Sequence, residues 1–470
     1  MRLSLKAKLT SLALLMTCSS VDAANWLALQ GYQPEFVAPK GVKVPYRSKK
    51  PKVWGFIQAN YRKDFGTVSD YNPISKQNDG KIRTPFSLLN PDLKGQEGFN
   101  VFRARLALRG MADNENLVNY FFMTDFANNG INNLAGNRSV ATYFSDASVT
   151  LKHIPGAKLR VGMFKTPGTE EGLAAVFVAP YIDFTQMTFQ QHLERRITNV
   201  GAELSGLASG GAATDHYQGD PAEPIAAFRD VGAQVFDTLP VTDDWDVSYA
   251  YMYGNGAGIS FNSGNANATH YGYFALEKTF NSKGRGYYTN ALKFFVWGQT
   301  GNRQLISDHD NNASTNAVEV NNERNRYGIG FSYHKSGLRV EAEYTVAEGM
   351  IYTGAKDTNA DPLQEDWQLQ FAVGKENKAD GGYLNLQYEL IAKKLEVFGR
   401  YDYLNRLTND EKARRDFQTL TLGASYRFRG PTRIDFNYLI REAKAPNNAN
   451  AQQVVSNMGN RLGIQVTAAF

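Results

Sequence analysis

The chain has 470 residues, 12% of them aromatic, with 42 glycines and a mean hydropathy of -0.42. That hydropathy excludes a helical membrane protein, while the Tyr, Phe and Gly content suits strands joined by turns. The formal charge of +5 is too mild to argue for a nucleic-acid partner. The one cysteine, Cys18, lies in the first twenty residues, so the rest of the chain has no thiol chemistry and no Cys-ligated metal.

Residues 1–23 read as a secretory signal peptide. Arg2, Lys6 and Lys8 form a positive start, and Leu9 to Thr17 an apolar run too short to span a bilayer. Val21-Asp22-Ala23 places small residues at the cleavage positions, with a cut after Ala23 or Ala24. Removal of residues 1–23 leaves a net charge of +3. A lipid anchor at Cys18 is the rival, disfavoured because Thr17 stands where such sites need a smaller residue. Residues 24–52, rich in Pro, Lys and Arg, read as a periplasmic extension. Its Lys40, Lys43, Arg47, Lys49, Lys50 and Lys52 could meet an acidic partner, although a solvated linker is the simpler reading. No later apolar run approaches the length of a transmembrane helix, so a secreted chain that stays in a membrane must close a barrel.

From residue 53 the pattern has period 2, which predicts an all-β transmembrane antiparallel barrel over 53–470. Strand 53–65 sets Gln58, Asn60 and Arg62 opposite Ile57, Ala59 and Tyr61. Next, Phe102, Ala104, Leu106 and Leu108 oppose Arg103, Arg105 and Arg109. Three arginines on one face cannot point into lipid, where each would cost roughly 2–4 kcal/mol at the midplane. Strand 157–166 leads into the long segment 167–227, whose apolar part (Leu173 to Ile182) would be awkward in outside water. It is the candidate constriction loop, folded into the barrel. Further on, Trp245, Val247, Tyr249, Tyr251 and Tyr253 share a face, as do Tyr327, Ile329, Phe331 and Tyr333. Leu338, Val340, Ala342 and Tyr344 oppose Arg339, Glu341 and Glu343. Segment 364–376 alternates, but counting it breaks the order of short and long links, so it belongs to an outer loop. Ile434, Phe436, Tyr438 and Ile440 oppose Arg433, Asp435, Asn437 and Arg441. The last strand puts Leu462, Ile464, Val466, Ala468 and Phe470 on one face. Such a terminal aromatic strand resembles the assembly signal of outer-membrane barrels, which makes the barrel-assembly machinery an expected partner.

Short links (Met111–Asn116, Ile154-Pro155-Gly156, Leu239–Asp244, His334–Gly337, Arg429–Thr432) alternate with long ones (66–98, 167–227, 301–321, 444–459). This predicts about 16 strands, or about 18 if 196–206 crosses, with a water-filled lumen. The molecule belongs in the outer membrane of a Gram-negative bacterium, in contact with lipid and lipopolysaccharide.

Six histidines (His153, His192, His216, His270, His309 and His334) carry no nucleophile motif and no metal spacing around them. No enzyme, cofactor or metal site is expected. A gated transporter would need an N-terminal plug domain, which residues 24–52 are too few to supply.

Some segments resemble the phosphate-selective porin O and P family. They are Phe102 to Gly110, Leu159-Arg160-Val161-Gly162-Met163-Phe164-Lys165-Thr166-Pro167 before the constriction loop, and Glu194-Arg195 late in that loop. Arg229-Asp230-Val231-Gly232 and Phe398-Gly399-Arg400-Tyr401-Asp402 are similar as well. The resemblance implies a 16-stranded homotrimeric porin with an inward third loop and an anion-favouring channel. It does not extend to the family's phosphate-selecting ladder of basic residues.

The register assigns twelve arginines to the lumen wall: Arg62, Arg103, Arg105, Arg109, Arg160, Arg326, Arg339, Arg400, Arg427, Arg433, Arg441 and Arg461. It assigns seven carboxylates there: Asp125, Asp246, Glu341, Glu343, Glu396, Asp402 and Asp435. A basic excess in a narrow pore favours small anionic solutes, phosphate-like or carboxylate. Arg103, Arg105 and Arg109, with no acid on their own strand face, are the first candidates for solute contact. Arg195, Arg196 and Lys165 follow, then Arg62, Arg160 and Arg400. The plainer alternative is a lattice of salt bridges bracing the wall, with Glu194 pairing its arginine neighbours. A scaffold barrel, or a channel for non-anionic solutes, is the rival function.

Overall fold

In the computed structural model the period-2 segments pair into one closed sheet. The structure describes residues 51–66, 69–72, 77–83, 97–113, 117–127, 129, 143–194, 216–219, 227–256, 268–280, 290–307, 318–353, 369–428, 432–456 and 458–470. The expected signal peptide 1–23, residues 24–50 of the expected extension, Arg195, Arg196 and the segment 196–206 lie outside these.

The barrel has sixteen antiparallel strands. The first five are β1 Lys52–Asp64, β2 Glu97–Met111, β3 Val118–Asp125, β4 Tyr143–Leu151 and β5 Lys158–Lys165. Then follow β6 Arg229–Pro240, β7 Trp245–Gly254, β8 Thr269–Thr279, β9 Ala291–Ser307, β10 Val318–Lys335 and β11 Leu338–Glu348. The last five are β12 Lys378–Ile391, β13 Leu395–Arg406, β14 Arg415–Arg427, β15 Arg433–Lys444 and β16 Arg461–Ala469. Each strand pairs with the next, and β1 pairs with β16 to close the ring. The ring closes at sixteen strands rather than eighteen. In segment 364–376, Leu369–Ala372 pairs with Ile351–Thr353 and His216–Gly219 in a small sheet apart from the barrel. Leu369–Ala372 is therefore not a strand of the barrel wall.

The two faces differ as alternation requires. Ile57, Val296, Ile329, Leu386, Leu422, Phe436, Ile440 and Val466 are exposed on the outer face, whereas Gln58, Arg326, Gln387, Thr421, Asp435 and Gln465 are buried on the inner one. Tyr251, Tyr253, Tyr327, Tyr344, Tyr388 and Tyr401 are exposed on the outer face as well. A closed barrel with an apolar outside and a polar inside satisfies every ladder hydrogen bond in lipid. The molecule is an integral outer-membrane protein.

One expected orientation is corrected. Phe102 does not share the lipid face with Ala104, Leu106 and Leu108. The β1–β2 ladder slips so that Gln58 faces Arg103 while Ala59 faces Val101. The extra residue of this bulge is Phe102, which turns inward and is 4% exposed. Its ring lies 4.5 Å from the guanidinium carbon of Arg62 and 4.3 Å from that of Arg103.

The chain ends of the barrel meet at the rim of short turns, where Gly55 and Phe470 exchange two backbone hydrogen bonds of 2.9 Å each. Leu462, Ile464, Val466 and Ala468 alternate with buried Gly463, Gln465 and Thr467. A Cβ at Gly55 would stand 2.6 Å from the Arg105 carbonyl oxygen and 2.8 Å from the Phe470 ring. Gly55→Leu is therefore expected to destabilise this seam by about 1–3 kcal/mol. The loss should appear as a lower temperature for disappearance of the heat-modifiable barrel band on gels, and an unchanged temperature would show that the rim repacks freely.

Candidate functional site

The segment after β5 enters the lumen. Its apolar part would expose several large side chains to water outside, and it finds an apolar sector of the inner wall instead. Leu173, Phe177 and Val178 pack in one buried cluster with Phe56, Phe236, Tyr273, Phe295 and Trp297. Packing alone does not satisfy the loop's backbone, whose own hydrogen bonds are confined to isolated turns such as Val178 N–H to the Ala175 carbonyl (2.8 Å). The wall supplies the missing partners.

At the loop's root, Lys165 Nζ donates to the carbonyls of Gly172 (2.7 Å) and Ala174 (3.0 Å), closing the end of a one-turn helix, α1 Glu170–Leu173. Thr169 Oγ1 donates to Glu343 (2.9 Å), and Glu170 pairs with Lys293. Further along, Gln58 Nε2 donates to the Val176 carbonyl (2.9 Å), and Arg433 donates to the carbonyls of Val178 and Ala179. Asn437 accepts from the Ile182 N–H (3.2 Å) and donates to the Pro180 carbonyl (3.1 Å). Arg400 bonds Glu171 (3.0 Å) and the Asp183 carbonyl (2.8 Å), and the Asp183 carboxylate pairs with Arg62 (2.9 Å) and Arg461 (3.2 Å). At the far end Arg324 and Arg326 donate to the Gln191 carbonyl at 2.9 and 3.2 Å, and Glu194 pairs with Arg303 and Arg324.

Between loop and wall a constriction of about 60 Å³ remains. The wall contributes Arg103 from β2, Glu341 from β11, Tyr383, Asn385 and Gln387 from β12, and Arg400 from β13; the loop contributes Glu170, Glu171, Ala174, Val176, Ala179 and Tyr181 to Phe184. Four carboxylates line this space, and each lies within ion-pair distance of a cation, with Arg400 shared between Glu171 and Asp402 (3.6 Å). Glu170 has Lys293, Glu171 has Arg400, Asp183 has Arg62 and Arg461, and Glu341 has Arg339 at 3.1 Å. Arg103 differs. Its Nη1 donates to Gln58 Oε1 (2.8 Å), and its guanidinium lies near the rings of Phe102 (4.3 Å) and Phe184 (5.6 Å). Among the described residues it has no carboxylate partner.

The residues expected from sequence therefore separate by position. Arg103 and Arg400 reach the constriction, while Arg62 and Lys165 brace the loop beside it. Arg105 pairs with Asp125 at 2.8 Å, across the β2–β3 ladder where the two stand opposite. An acid absent from its own strand face is thus supplied by the next strand. Arg109 lies toward the short-turn rim, 5.7 Å from the Trp54 ring. Arg160, 1% exposed, sits by the rings of Phe164 (5.3 Å) and Phe236 (4.5 Å), away from the constriction. Glu194 pairs across the lumen with wall arginines. The acids Glu170, Glu171, Asp183 and Glu194 fall outside the wall count of twelve against seven, because an aperiodic loop has no alternation to orient them. A charge set among apolar neighbours, as in Tyr181-Ile182-Asp183-Phe184, is the signal that could have found one of them.

No protein-family model matches the chain, and no curated protein matches its sequence. Among solved structures it is similar to an anion-selective porin from Comamonas acidovorans, at 12% identity over 90% of this chain and 99% of that one, with a TM-score of 0.49. It is similar to the outer membrane protein OmpT of Vibrio cholerae in its trimer form (12% identity, 90% and 99% covered, TM-score 0.47). The outer membrane channel DcaP of Acinetobacter baumannii is a third (12% identity, 89% and 97% covered, TM-score 0.48). At these identities the likeness is one of barrel shape.

Asp183→Ala removes the loop carboxylate that Arg62 and Arg461 share. Breaking such a buried pair is expected to cost up to about 3 kcal/mol and to free positive charge beside the constriction. Thermal unfolding should shift down and the anion-to-cation permeability ratio should rise. A drop in that ratio would contradict the assignment of Asp183 to the pore.

Proposed function

We propose that the chain forms a porin-type diffusion channel whose constriction favours small anions. The observation that carries this is Arg103. Every carboxylate lining the space between loop and wall pairs with a cation, whereas Arg103 has no carboxylate partner among the described residues, which supports a positive local field there. Low-dielectric walls focus that field on a passing ion. Sixteen strands leave a lumen wide enough for water once a loop has narrowed it. The segments that resemble the phosphate-selective porin O and P family support the same reading and a homotrimer.

Single-channel recording in planar bilayers under a salt gradient tests the proposal. The wild type should conduct with a reversal potential of anion-selective sign, and Arg103→Ala should bring the permeability ratio toward one. A barrel that never conducts would mean that the loop seals the lumen, which favours a scaffold. Cation selectivity in the wild type would overturn the role given to Arg103.

A further inference from the structure

We infer that the constriction selects flat monocarboxylates with an apolar body over inorganic phosphate, through Arg103 and Phe184. The inference rests on the anion-favouring reading and narrows it to a class of solute.

Arg103 is held in an unusual way for a pore arginine. The bulge in β2 turns Phe102 inward, and the loop brings Phe184 to the same guanidinium, at 4.3 and 5.6 Å. Gln58 holds Nη1 at 2.8 Å. No group among the described residues takes the remaining N–H groups, so they form a fixed planar donor edge beside rings. A carboxylate matches a guanidinium edge with two parallel hydrogen bonds, and a lysine cannot reproduce that match.

Charge and hydration then separate carboxylate from phosphate. The lining offers a single positive charge without a carboxylate partner, so a dianion such as hydrogen phosphate enters with one charge uncompensated beside four carboxylates. Phosphate must also shed strongly held water, and the loop side offers Ala174, Val176, Ala179 and Phe184, which cannot replace those hydrogen bonds. The same side chains favour a ring or alkyl body that leaves water on entry. One end of the solute is thus met by the Arg103 edge and the other by the apolar side of the loop.

The test is bi-ionic reversal potential in planar bilayers, with benzoate against chloride and phosphate against chloride, on the wild type, Arg103→Lys and Phe184→Ala. Heat-modifiable gel mobility verifies that each barrel is folded. In the wild type, benzoate should permeate several-fold better than phosphate. Arg103→Lys keeps a cation but loses the fork, and should bring the benzoate-to-phosphate ratio toward one while anions still outpace potassium. Phe184→Ala should lower the ratio by reducing benzoate permeation. Phosphate permeating as well as benzoate in the wild type would overturn the inference, and so would a ratio left unchanged by both substitutions. A wild type that excludes chloride relative to potassium would instead overturn the anion-favouring reading itself.

Discussion

A chain segment that crosses the inside of a barrel with only isolated helical turns keeps carbonyls that its own backbone does not satisfy. In this protein the wall satisfies them, and most of the lumenal chemistry follows from that. Lys165, Arg324, Arg326 and Arg433 end on loop carbonyls. Arg62, Arg303, Arg400 and Arg461 end on loop carboxylates. Arginine suits the task because its charge persists when buried and its fork reaches two acceptors at once. A lumen rich in arginine is therefore not by itself a strongly positive pore.

Selectivity depends on what remains after this bracing. A count of wall charges overstates the field, because the loop brings its own acids to the same place. Among the described residues Arg103 has no acid as partner, and its support is neutral: an amide on β1 and two aromatic rings. That arrangement needs the β-bulge, for without the extra residue Phe102 would stand in lipid and the guanidinium would lose one of its flanking rings. A local irregularity in one ladder thus sets the aromatic surroundings of Arg103.

The barrel was legible in the sequence because period 2 has only two outcomes per strand. The registers read for the strands at 243–254, 322–334, 338–344, 433–441 and 461–470 all have their apolar face outward in the structure. Phe102 was misread because a bulge breaks alternation at one residue and leaves no mark in composition. The Arg105–Asp125 pair was missed because partners across a ladder require the register between two strands, which single-strand patterns do not contain. The loop acids were missed for a related reason: Asp183 meets Arg62 and Arg461 from opposite ends of the chain, on strands that touch only where the barrel closes.

The place of the loop was written in the wall strands more than in the loop. Most strands are apolar on one face, but β9 runs Phe294-Phe295-Val296-Trp297 with both faces apolar. A strand apolar on both faces is covered on both faces. Lipid covers Phe294 and Val296, which are half-exposed, while Phe295 and Trp297 are buried under the loop with Phe236 and Tyr273. Leu173 to Val178 pack between this sector and β1, where the Phe177 ring lies 5.0 Å from that of Phe56. What stays open lies toward β2 and β11 to β13, where the side chains are Arg103, Glu341, Tyr383, Asn385, Gln387 and Arg400. Hydrophobic burial of the loop between β6 to β9 and β1 thereby leaves these polar residues to line the remaining space.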